Sequence, residues 1–168
     1  MKKNYVNGVF AGVMLALSAI TMPVNMANAV ELQKEKPAMS AMQNDPSLKP
    51  KKDAVLVTTG KFKRVTHNTK GTATIYENTD GTRELHITDF STEAGPALRV
   101  YLVAAGDARD NTSVKKAGYL DLGALKKRNG HLVLSVPKGI DLWKYRAVTI
   151  WCDKFDVNFG TAPLAAKQ

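Results

Sequence analysis

The chain has 168 residues, 24 of them lysine or arginine and 15 aspartate or glutamate, with a single cysteine, Cys152. That length supports one domain with an adequate core, and a lone cysteine excludes an internal disulfide framework. The formal charge of +9 raises nucleic acid as a partner, but the bases are scattered rather than striped along one helix. Lys49, Lys51 and Lys52 form one small cluster, and Lys126, Lys127 and Arg128 another.

Residues 1–29 have the parts of a secretory signal peptide. Lys2 and Lys3 make a positive start, Val9 to Met22 is almost wholly apolar, and Ala27-Asn28-Ala29 supplies a small-x-small peptidase site. The apolar run is shorter than the roughly 20 residues of a membrane-spanning helix. Cleavage after Ala29 is expected, with the mature chain starting at Val30 in the periplasm or outside the cell. The leader holds two lysines and no acid, which leaves 22 bases against 15 acids, a charge of +7. Export argues against nucleic acid as a partner. The charge then serves solubility, with weak, salt-sensitive attraction to an anionic envelope surface as the sharper alternative.

Residues 30–54 read as a disordered linker. Glu31 to Pro37 is charged, Pro46 and Pro50 recur among polar residues, and apolar content is too low to offset the entropy of ordering. Met39 and Met42 are soft enough to ligate Cu(I), but two methionines are too few for a site.

From residue 55 to 168 the pattern changes to short alternating runs. Strands are expected at Gly60 to Val65, Gly71 to Tyr76, Arg83 to Phe90, Ala97 to Ala104, Leu120 to Leu125, His131 to Val136, Ala147 to Cys152 and Phe155 to Phe159. Asp80-Gly81 marks a hairpin turn between the second and third. Only Ile140 to Arg146 hints at helix. Many short strands punctuated by Gly, Pro, Asn and Asp indicate an all-β domain, a single antiparallel β-sandwich or barrel-like fold with at most one short helix.

Several chemistries are missing. There is no Gly-rich phosphate loop, no Gly-x-Ser-x-Gly, no His-Glu-x-x-His and no Cys-x-x-Cys-His haem attachment. Asp107 and Asp110 flank a turn-like segment without a catalytic partner, so general acid–base enzymology has little support. A blue-copper site needs two histidines, a cysteine and usually an axial methionine. Asp153 to Phe159 supplies neither ligand after Cys152, and no methionine follows Met42.

In the order Gly60-Lys61-Phe62, His67, Gly71-Thr72-Ala73, Asp89-Phe90, Gly95-Pro96, Val100-Tyr101-Leu102, Leu122-Gly123, Leu125-Lys126, Val136-Pro137, Tyr145, Val148, Ile150-Trp151-Cys152, Phe155 and Phe159-Gly160, the sequence resembles the electron-transfer DM (DM-thirteen) domain. This domain is also found beside DOMON domains in Skeletor-type proteins. The resemblance spans roughly residues 56–164, and its most specific piece is Ile150-Trp151-Cys152 followed by Phe155. One departure lies between Gly130 and Pro137, where the family tends to carry a Gln and a Tyr and this chain has His131 to Ser135. The resemblance implies a redox or electron-transfer role centred on Cys152, as a bare thiol or as a ligand to haem or a metal. His67 becomes the candidate second ligand, with Trp151 and Phe155 as site neighbours and a redox partner or envelope component as the counterpart.

Strand periodicity pulls the other way. Val148, Ile150 and Cys152 share one side, Thr149 and Trp151 the other. The aliphatic side is the expected core, where a thiol is inert. His86 is expected to be solvated on a polar face beside Glu84 and Thr88, and His131 to start a surface strand. Trp151 is expected to pack beneath Trp143 or a loop. Two functions therefore stay open: an exported redox module using Cys152 with His67, or a non-catalytic extracellular binding or scaffold domain with a structural core cysteine.

Overall fold

The computed structural model describes residues 48–106 and 108–166; the segment expected to be a signal peptide and most of the expected linker lie outside the described residues. Strands β1 (Val55–Lys61), β3 (Thr69–Glu77), β4 (Arg83–Thr92), β7 (Asn129–Val136) and β10 (Ala165–Ala166) form one sheet in the order β10-β1-β3-β4-β7. Strands β2 (Lys63–Arg64), β5 (Leu98–Val103), β6 (Tyr119–Ala124), β8 (Ala147–Cys152) and β9 (Val157–Pro163) form the second, in the order β2-β9-β8-β5-β6. Every pairing is antiparallel. The protein is an all-β sandwich, as its alternation indicates.

The core lies between the inner faces. Ala73, Ile75, Leu85 and Ile87 from one sheet meet Val100, Leu102, Val148, Ile150 and Cys152 from the other, all fully shielded from solvent. The polar residues between them face outward because side chains alternate along a strand. At about 1.5–3 kcal/mol for each large aliphatic side chain buried, this layer is the main stabilising term.

Two irregular elements differ from expectation. The segment from Ile140 to Arg146 holds only a single 3₁₀ turn, Leu142–Lys144, capped by the Asp141 carboxylate. Among the described residues the one α-helix, α1 (Asn111–Ala117), follows directly on the turn-like segment that ends at Asp110 and has no counterpart in the expected elements. Asp110 is its N-cap, accepting from the Ser113 backbone N–H at 2.7 Å, and Gly118 ends it with φ 82°. Seven residues with one buried apolar side chain, Val114, give too little periodicity to be read from sequence.

Helix α1 roofs part of the outer face of the second sheet. Val114 and Ala108 pack with Tyr101, Val103, Ala147 and Trp151 in a second, smaller apolar cluster. Asn111 fixes the helix to β9 by accepting the Asn158 N–H at 2.8 Å, and Lys115 pairs with Asp156. Trp151 is therefore packed, but beneath this roof; Trp143 is 67% exposed and takes no part.

Candidate functional site

Cys152 ends β8 on the inner face, as the alternation requires, and none of its surface is exposed. Its Sγ donates to the Pro96 carbonyl at 3.0 Å. A carbonyl oxygen only accepts, so the bond uses the thiol rather than the thiolate. Leu98 and Val157 flank Cys152 on the neighbouring strands. The next residue, Asp153, donates its backbone N–H to the Ala97 carbonyl at 3.1 Å.

His67 follows β2, and its own backbone N–H donates to the Phe159 carbonyl at 3.1 Å. Its ring lies against Phe159, with centroids 3.9 Å apart and planes inclined by 33°. The Nδ1–H donates to Glu93 Oε2 at 2.8 Å, while Glu93 Oε1 accepts the Asn68 N–H at 3.0 Å. The hydrogen bond from His67, then that from Asn68, holds the Glu93 carboxyl below the usual glutamate range.

The segment Glu93–Ala97 thus forms a strap between the two candidate residues. Glu93 grips His67, Pro96 receives the Cys152 thiol and Ala97 receives Asp153. Gly95 sits so close to the core that a Cβ there would lie 2.6 Å from Phe159 Cζ and 2.9 Å from Leu98 Cδ2. Glycine is the residue that permits this approach. Ala97 adopts φ 52°, a left-handed conformation that costs an L-residue roughly 1–2 kcal/mol. On the other side, a Cβ at Gly160 would meet Thr69 Cβ at 2.4 Å, so β3 and the Phe159 strand also close tightly here.

His67 and Cys152 share the strap without sharing a bond. The thiol is spent on Pro96 and the imidazole Nδ1 on Glu93. Among the described residues no three His, Cys, Asp or Glu side chains gather as a metal site. The pair as arranged does not fit a haem or metal bridging Cys152 and His67: the sulfur is sealed in the aliphatic core, with Phe159 packed under the imidazole.

The other expected neighbours part company. Trp151 is buried on the opposite face of β8 from the thiol. Phe155 is 62% exposed on the turn after β8, with Lys154 Nζ 5.7 Å from its ring centroid. Its exposure leaves it outside the strap.

His86 corrects the expectation of a solvated side chain, being only 1% exposed. Its Nε2–H donates to Glu84 at 3.3 Å, leaving Nδ1 to accept from His131 Nε2 at 3.2 Å. Tyr76 covers it edge-on, at 5.1 Å between centroids. The residue lies on the outward face, as the alternation requires, and its large cross-strand neighbours close over it.

Compared with known families, residues 61–164 match the model described as Electron transfer DM13. The match covers more than half of the chain, and the protein belongs to this family. No curated protein and no solved structure matches it. The family points to a redox role. His67, Gly95-Pro96, Cys152 and Phe159-Gly160, which carry the resemblance in the sequence, all lie at the strap.

Proposed function

We propose that the protein is an exported redox module in which Cys152 is the redox position and His67 is held by the same Glu93–Ala97 strap that covers the thiol. The observation that supports this most directly is the convergence at one end of the sandwich of residues distant in sequence. A structural cysteine needs only apolar neighbours, whereas this thiol is covered by a strap with a strained Ala97, a glycine-dependent approach and a carboxylate hydrogen-bonded to a histidine. Displacing the strap would remove the Pro96 acceptor and uncover the sulfur. The signal-like leader supports export, and the surplus of bases supports weak association with an anionic envelope surface; the redox partner is an envelope component or another exported protein.

A second reading has its own observation. Complete burial of Cys152 and the satisfied hydrogen bond to Pro96 suit a non-catalytic binding or scaffold domain with a core thiol, since buried cysteines behave as small hydrophobes.

Thiol titration of the protein, purified from an export-competent host, separates the two. The redox reading expects measurable Cys152 reactivity in the native state, and a rate at least tenfold faster in Gly95→Ala, whose methyl group pushes the strap off Phe159. A native protein without visible absorbance or bound metal, whose thiol reacts only in denaturant in both variants, would sink it. In that case the scaffold reading stands.

A further inference from the structure

Three aromatic rings run across the outer face of the second sheet. Trp151 on β8 lies 6.0 Å from Tyr101 on β5, with ring planes inclined by 25°. Tyr101 in turn stacks on Tyr119 at the start of β6, at 4.3 Å and 10°. Exposure rises outward, from 2% for Trp151 and Tyr101 to 48% for Tyr119. Burial of an apolar surface accounts for the first two rings. It does not account for the third, a half-exposed phenol laid nearly parallel on a buried one at the sheet edge.

The stack also reaches the candidate redox strand. Trp151 is the peptide neighbour of Cys152, and the Tyr101 hydroxyl donates to Asp153 Oδ1 at 3.4 Å. Asp153 is the residue whose N–H is tied to the strap. Indole and phenol are both side chains that readily lose one electron, and close stacking gives the orbital overlap for transfer between them. At neutral pH an indole radical cation oxidises a phenol when the phenolic proton has somewhere to go. Burial, and then the Asp153 charge, push the Tyr101 phenol far above its ordinary pKa. It therefore keeps its proton until the electron leaves, and the Asp153 carboxylate is placed to take that proton.

We propose that Trp151, Tyr101 and Tyr119 form a one-electron relay that carries oxidising equivalents from the strand of Cys152 to the surface at Tyr119, with Asp153 as the proton acceptor of Tyr101. A radical oxidant of the peroxyl class takes one electron from Trp151 and becomes its anion, leaving the indole radical cation. Trp151 is restored by one electron from Tyr101, whose O–H bond breaks as the proton moves to Asp153. Tyr101 is restored by one electron from Tyr119 and by the proton returned from Asp153, while the Tyr119 phenolic proton passes to water. The Tyr119 phenoxyl then takes an electron and a proton from a hydroquinone-class reductant. The net result is one electron carried inward from reductant to oxidant. The place of the relay in the protein rests on the redox reading above; its operation does not depend on Cys152.

Laser photoionisation of the indole, at wavelengths beyond tyrosine absorption and with nitrate trapping the ejected electron, tests the relay in Trp143→Phe protein. That change leaves Trp151 as the sole tryptophan. The expected result is first-order conversion of indole radical into phenoxyl radical at a rate independent of protein concentration. Tyr101→Phe in the same background, which keeps the ring but removes the phenol, should slow the conversion at least tenfold. Tyr119→Phe should leave the first hop intact and slow quenching of the phenoxyl by added hydroquinone at least fivefold; it tests the path even if Tyr101→Phe fails to fold. Equal rates in all three proteins, or conversion proportional to protein concentration, would overturn the relay. Thiol titration of the same proteins keeps the two readings apart: a relay that works beside an inert thiol counts against the redox role of Cys152 alone, and a broken relay beside a reactive thiol against the relay alone.

Discussion

The two outer faces of the sandwich solve one problem in different ways. On the β10-β1-β3-β4-β7 sheet the outward residues shield each other: Tyr76, Glu84 and His131 close over His86. On the other sheet the shielding is imported. Val114 of helix α1 and Ala108 before it cover Trp151, Tyr101 and Ala147, and β8 is buried along its whole length on both faces. Alternation separates two sides of a strand, but only the rest of the chain decides whether the outward side is wet.

This difference can be tested by removing cover from each face and comparing the result with the shared core. The largest loss is expected from the core itself. Ile150→Ala should cost about 3–4 kcal/mol, read by denaturant unfolding, because Ile150 is fully buried between the sheets and the cavity would be walled by rigid strands.

Next comes the roofed face. Asn158 donates from Nδ2 to the Ala108 carbonyl at 2.8 Å and to Thr161 Oγ1 at 3.0 Å, and Thr161 is itself paired with Thr149 at 3.0 Å. Asn158→Ala would leave buried hydroxyl and carbonyl groups short of partners, at a cost of roughly 1–3 kcal/mol. Asp110→Ala removes only the helix cap and should cost about 1 kcal/mol. If the roof is what keeps Trp151 dry, Asp110→Ala should also red-shift the Trp151 fluorescence in Trp143→Phe protein. An unshifted spectrum with the full stability loss would mean that the strands alone shield the indole.

How far the sequence discloses these features follows from the range of the interaction involved. The inward side of β8 is legible because Val148, Ile150 and Cys152 alternate with Thr149 and Trp151, a pattern local to six residues. The resemblance to the family is legible for the same reason, through Ile150-Trp151-Cys152. His86 is misread because the same rule assigns a face without counting what stands beside it across strands. Helix α1 escapes notice because its signals are a cap and a stop, Asp110 and Gly118, rather than a periodic face. The strap is the least legible part. His67 and Cys152 are 85 positions apart in the numbering, and what joins them is Gly95 lying on Phe159, a contact that no local pattern encodes.

The smallest effect expected is on the self-shielded face, and its sign separates it from the roofed one. Burial, and then the charge of His86, hold the His131 imidazole below its ordinary value of 6.5. The folded protein therefore resists a proton that the unfolded chain accepts. Stability from this group is complete above about pH 6.5 and declines as the pH falls through that value, the unfolded state gaining protons first. A melting temperature that drops between pH 8 and pH 5.5, and drops less in His131→Gln, is the expected result. Glu93 gives a second fall at lower pH: its depressed pKa contributes stability above about pH 4.5 that is lost as the carboxylate protonates. The roofed face has no histidine among its packed residues, so Trp151 fluorescence in Trp143→Phe protein should stay constant across the first interval while the melting temperature moves. A Trp151 signal that follows the His131 titration would instead mean that the two outer faces communicate through the core, and that their shielding is one cooperative property rather than two.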